Sequence, residues 1–134
     1  VNVYVGTNVN DPRGFPDTVQ RSRDKLADQR QAIPDKPILA GEWGSWAMRG
    51  MHTDYFPGEE YQAGLISAVW NGLMEEENLI GGFVWAFADS DVHRHFLWVY
   101  EFRCAYGLFD IHRNAKAGAH AMREIWTKTA TFRD

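Results

Sequence analysis

Glu42 closes the short apolar run Pro37-Ile38-Leu39-Ala40-Gly41 and opens the aromatic segment Trp43-Gly44-Ser45-Trp46. A carboxylate at the end of a buried strand, ringed by indoles and small residues, suits chemistry better than structural support. A charged acid needs water or partners, while indole faces offer flat apolar platforms of the kind that stack on sugar rings. The layout recurs at Gly82-Phe83-Val84-Trp85-Ala86-Phe87-Ala88-Asp89, again a run from apolar strand through aromatics to an acid. Two adjacent parallel strands delivering polar groups to one rim account for both.

The elements between these islands alternate. Residues 1–5 read as a strand, followed by the turn-prone Asn10-Asp11-Pro12-Arg13-Gly14. Residues 16–33 read as a helix with Pro16 in its first turn and an apolar stripe at Val19, Leu26 and Ile33. Pro34 and Pro37 end it and frame a strand over 38–42. A long loop, 43–58, precedes a helix over 59–76, whose face is Ala63, Ile66, Trp70 and Leu73. Its acidic end at Glu75-Glu76-Glu77 opposes the helix dipole and predicts a frayed last turn. The strand 80–87 is apolar throughout, as expected when both faces are covered. A further excursion, 88–105, leads to Tyr106-Gly107-Leu108-Phe109-Asp110 and a closing helix over 114–128 with Met122, Ile125 and Trp126 on one side. The order β-loop-α, three times over, predicts a parallel α/β sheet with its post-strand loops at one end.

Composition narrows the partners. A net charge of −4 disfavours a surface for nucleic acid, which needs clustered Lys and Arg. No apolar stretch reaches membrane-spanning length, and no charged-then-apolar leader opens the chain, so the compartment is left undetermined. The single Cys104 excludes an intrachain disulfide. His93-Arg94-His95 supplies only two of the three or four ligands a zinc site needs, so no metal is expected. The segment 96–102 is too hydrophobic for a solvated loop and reads as a packing or docking segment.

Three islands together resemble glycoside hydrolase family 2, the retaining β-galactosidases, β-glucuronidases and β-mannosidases: Asn2-Val3-Tyr4-Val5-Gly6, Lys36-Pro37-Ile38-Leu39-Ala40-Gly41-Glu42-Trp43-Gly44, and Gly82 to Asp89 with Tyr106 to Asp110. Arg113 and Lys116 match a basic pattern after the last strand. The resemblance covers nearly the whole chain. It implies a partial (β/α)8 TIM barrel, roughly strands 6 to 8 with their helices, because a whole barrel needs roughly 250 residues. Residues 1–134 are then the C-terminal fragment of a glycosidase catalytic domain.

By the same resemblance Glu42 is the nucleophile, Tyr4 the phenol that orients it, and Trp85 the platform under the sugar being cleaved. Trp43, Trp46, Asn8 and Asp89 complete the candidate substrate-binding set, although the two indoles could equally cover the barrel mouth and acids at a strand-to-loop junction more often cap backbone N–H groups. The chemistry needs no cofactor. The family's acid/base glutamate follows an asparagine, and no Asn-Glu pair occurs in this chain. The isolated chain should therefore be nearly inactive. β-Glucuronidases carry Asn-x-Lys just before the glycine of the last motif, where Cys104, Ala105 and Tyr106 stand here. That substitution implies neutral β-glycosides, galactoside- or mannoside-like. Another barrel family of the same clan, or a non-catalytic carbohydrate-binding fragment, is the alternative. Open strand edges predict self-association or docking of the missing remainder of the barrel.

Overall fold

The computed structural model describes residues 1–5, 14–92 and 103–129. The elements run β1 (Asn2–Val3), α1 (Gly14–Ala32), β2 (Ile38–Trp43), α2 (Glu59–Leu73), β3 (Leu79–Val84), β4 (Ser90–Asp91), β5 (Arg103–Cys104) and α3 (Ala117–Thr129). β1, β2 and β3 form a parallel sheet in that order, and β4 pairs with β5 antiparallel. The molecule is an α/β fold, as the alternation of periods predicts. Asn8, His93, His95 and the segment 96–102 lie outside the described residues.

One face of the sheet carries the core. Ile38, Ala40 and Trp43 point into it with Val3, Leu65, Ile66, Trp70, Leu73 and Met122. Trp43 and Trp70 stack with ring centroids 5.1 Å apart and planes 16° from parallel. The opposite face is barely covered among the described residues: Phe83 is 64 % exposed, where the unbroken apolar run of this strand predicts cover on both sides. Apolar composition reports that a surface is meant to be buried, and the described residues leave this one open.

The register holds the finding that matters most for the site. Ala40 pairs with Gly82, but Trp43 pairs with Val84, so β2 carries one residue more than β3 between these points. Regular alternation from Ala40 would turn residue 42 into the core. The bulge reverses the parity: Trp43 takes the core side and Glu42 is left on the open face, as bulges do when they re-aim a side chain. A compensating shift lies between Ile38 and Leu39, opposite Gly81, whose φ of 151° is open to glycine and strained for other residues.

The helices depart from expectation in instructive ways. α1 buries Thr18, Ser22 and Leu26, while Ile33 is 48 % exposed. The stripe therefore runs at i, i+4, i+8 and is mostly polar. It is buried without penalty because the Ser22 hydroxyl donates to the Thr18 carbonyl at 2.7 Å. α2 ends at Leu73, before the acidic run, as the opposing dipole requires. Arg23 of α1 then collects those acids, with Nε donating to Glu76 at 2.8 Å and a second ion pair to Glu75. The excursion 88–105 is not all loop, since β4 and β5 pair within it. Residues 86–89 lie alongside 106–109, tied by Ala86 N–H to the Tyr106 carbonyl at 3.1 Å and Leu108 N–H to the Ala86 carbonyl at 2.9 Å. Among the described residues no helix is long and apolar enough to cross a membrane.

Candidate functional site

The C-terminal ends of the three parallel strands converge on Glu42. Tyr4, just beyond β1, donates its hydroxyl to Glu42 Oε2 at 2.9 Å. Burial pushes the Tyr4 pKa well above that of an ordinary phenol, and the hydrogen bond to Glu42 adds to the rise. Tyr4 therefore stays a neutral donor at any working pH. Trp85 follows directly on β3: its N–H donates to the Trp43 carbonyl at 2.7 Å, which sets it beside the residue after Glu42. The Trp85–Ala86 peptide is cis. Val84, paired with Trp43, packs against the core. Trp85 has 45 % of its surface exposed, and Glu42 is half-buried.

A second aromatic layer backs this pair. Tyr106 sits edge-on to Tyr4 at 5.8 Å and 75°, and edge-on to Trp46 at 5.7 Å and 83°. Such T-shaped contacts are the favoured geometry of ring quadrupoles. Tyr106 escapes sequence reasoning as a site residue, because its position signals only the loss of a lysine. The usable signal is its place two residues before Leu108, in the segment that lies alongside Trp85 to Asp89.

No family model matches the chain. Over 99 residues, 72 % of this chain, it is 32 % identical to a β-glucuronidase of Paenibacillus borealis, covering 16 % of that protein. It is 34 % identical over 99 residues, 71 % of this chain, to a β-glucuronidase of Rattus norvegicus, covering 15 % of it. Among solved structures, a Faecalibacterium prausnitzii β-glucuronidase superposes with a TM-score of 0.84 at 26 % identity, over 99 % of this chain and 22 % of that one. The relatives are glycoside hydrolases of family 2. The chain spans about one sixth of the length of the curated relatives it matches.

The structure sorts the expected site residues. Glu42 and Tyr4 come together, and the Trp85 backbone is hydrogen-bonded to Trp43, the residue after Glu42. Trp43, expected on the substrate side, is 1 % exposed and stacked on Trp70, because the bulge turns it inward. Trp46 is 7 % exposed and faces Tyr106 rather than solvent. Asp89 is buried, and its Oδ1 accepts from Lys116 Nζ at 2.7 Å and from Gly107 N–H at 2.9 Å, so its carboxylate is already engaged within the fold. Burial raises the Asp89 pKa and lowers that of Lys116, each opposed by the hydrogen bond and charge of the other. Among the described residues no group of three or more His, Cys, Asp or Glu side chains is arranged to hold a metal ion.

Proposed function

We propose that residues 1–134 form part of the (β/α)8 catalytic barrel of a retaining β-glycosidase, supplying strands 6 to 8 and the nucleophile. Glu42 attacks the anomeric carbon to give a covalent glycosyl-enzyme. Tyr4 holds the carboxylate in line without neutralising it, and Trp85 carries the sugar ring on its exposed face. The acid/base carboxylate must reach to within roughly 5–5.5 Å of Glu42 and comes from outside these residues. The reading rests on the Tyr4–Glu42 hydrogen bond at the shared end of adjacent parallel strands, with Trp85 exposed just beyond the neighbouring strand.

For the sugar, the positions that would read a uronic carboxylate carry no ammonium and no amide side chain. Cys104 lies in β5, Ala105 is buried, and Tyr106 is packed against Tyr4 and Trp46. A neutral glycone, galactoside- or mannoside-like, follows. The relatives favour a second reading, a uronic acid, because they are named β-glucuronidases. A panel of aryl β-galactoside, mannoside, glucuronide and galacturonide, assayed on the full-length protein containing this chain, separates the two.

The same assay tests the nucleophile. Glu42→Gln should lower kcat by roughly three orders of magnitude or more, and a 2-fluoroglycoside should label Glu42 in the wild type. Wild-type turnover by that variant would end the assignment. Sugar binding without turnover by the wild type would leave only the carbohydrate-binding alternative.

A further inference from the structure

Two of the most deeply buried side chains in the molecule are polar and lie directly behind the aromatic layer. Lys116, just before α3, is 0 % exposed. Its Nζ donates to the Ala47 carbonyl at 2.7 Å, to Asp89 Oδ1 at 2.7 Å and to the Ala105 carbonyl at 3.2 Å. Three acceptors match the three N–H bonds of an ammonium, whereas a neutral amine would turn its lone pair on one of them. Gln62 of α2 is 1 % exposed, and its Nε2 donates to the Ser45 carbonyl at 2.8 Å and the Gly107 carbonyl at 3.1 Å.

These four carbonyls share a pattern. Ser45 and Ala47 flank Trp46; Ala105 and Gly107 flank Tyr106. Each aromatic residue is thus held by its neighbours on both sides, one gripped from α2 and the other from the start of α3. Ala47 N–H also donates to the Ala105 carbonyl at 3.0 Å, which fastens the two segments to each other. The rings so mounted meet edge to face, and Tyr106 in turn packs on Tyr4, which donates to Glu42.

We propose that Gln62 and Lys116 are positioning residues, which fix the Trp46–Tyr106 wall and through it hold the Tyr4 hydroxyl against Glu42. The proposal rests on the reading of Glu42 as nucleophile. Burying an ammonium and an amide is costly, and apolar side chains of similar size often serve stability as well. What an apolar replacement cannot supply is directed donors for particular carbonyls. A loosened wall lets Tyr4 drift from Glu42, and displacements near 1 Å at reacting groups lower rates by up to about a hundredfold.

The test uses the full-length protein. Gln62→Leu and the double variant K116M/D89N keep volume, and the amide introduced at position 89 retains an acceptor for Gly107 N–H. Each should slow formation of the glycosyl-enzyme from an activated aryl glycoside by about ten- to a hundredfold with little change in KM. Gln62→Glu, whose carboxylate would face carbonyls, should be at least as impaired, and Gln62→Asn should not rescue, being too short to reach both segments. A folded Gln62→Leu protein with a wild-type glycosylation rate overturns the proposal. If the Lys116 double variant fails to fold, Gln62→Leu decides alone. Glu42→Gln run in parallel separates the two ideas: an inactive Glu42→Gln enzyme beside an unimpaired Gln62→Leu enzyme removes only the positioning claim.

Discussion

Glu59 should be a pH-sensitive strut of this fold. It opens α2, is 1 % exposed, and has three donors around its carboxylate: Gly50 N–H at 2.7 Å, Ala117 N–H at 2.7 Å and Arg49 at 3.1 Å. Ala117 is the first residue of α3, so this acid from one helix caps the N-terminus of another. Burial pushes its pKa up, but the two backbone N–H groups and Arg49 outweigh that and hold it below the usual carboxylate value. In Glu59→Gln the amide NH2 must face one set of donors. If it faces Ala117, that N–H is orphaned at a cost of about 1–3 kcal/mol, and the remaining two bonds lose their charge assistance, about 1 kcal/mol together or more. The sum is about 3 kcal/mol, on the order of 10 °C in melting temperature for a chain of this size. The sign with pH follows from the lowered folded value. The advantage of Glu59 over its glutamine replacement is complete above the unfolded pKa of about 4.3 and is lost as pH falls through the lower folded value. Thermal unfolding of both proteins at fixed concentration, from pH 7 down to pH 3, should show two curves that converge on acidification. Equal stability at pH 7, or a gap that widens on acidification, refutes the strut.

The sheet–helix contact and the open face give two further expectations. A methyl group at Gly82 would lie 2.7 Å from the Trp70 ring and 3.1 Å from both Ala40 Cβ and Trp43 Nε1, so Gly82→Ala should destabilise by about 1–3 kcal/mol of overpacking in urea unfolding; an unchanged midpoint would show that the Trp43–Trp70 stack yields. The bare face of β3 continues into an apolar groove of about 490 Å³ between Phe83, Phe87, Phe109, Met122 and Trp126. The isolated chain should therefore self-associate, and Phe83→Lys with Phe87→Lys should shift it toward monomer in sedimentation; a monomeric wild type at tens of micromolar would contradict this.

What the sequence discloses here is the order of elements and the strand-end acid, because period, breakers and local motifs are short-range properties. Helix α2 is legible to its fading acidic end. What it hides is whatever depends on a partner across space. The bulge beside Glu42 exists only relative to β3, so Trp43 cannot be told from Trp46 or Trp85 by counting along β2. The polar stripe of α1 is invisible to a hydrophobicity rule, since Thr18 and Ser22 become tolerable inside only once Ser22 has a carbonyl to bond. Lys116 reads as part of a basic pattern with Arg113 after the last strand. Nothing local announces that one is fully buried while the other sits exposed at a φ of 70°.

The half-buried and buried acids around the strand ends divide by what holds them. Asp89 is neutralised by an ammonium, Glu59 by two backbone N–H groups and a guanidinium, and Asp110 by the N–H groups of His112 and Asn114 together with the Asn114 amide. Glu59 and Asp110 are held below the usual carboxylate range by these donors, and Asp89, though raised by burial, keeps its bond to Lys116, so each would forfeit those interactions by giving up its charge to form a bond. Among the described residues Glu42 has one hydrogen-bond partner, and that partner is neutral. A phenol aligns the carboxylate and leaves its other oxygen unclaimed, which is the state in which a carboxylate can still attack an electrophilic carbon. On the proposed assignment of Glu42 as nucleophile, the bulge supplies the direction, the buried clamps behind Tyr106 supply the stiffness, and the engagement of the other acids by protein groups leaves Glu42 as the reactive one.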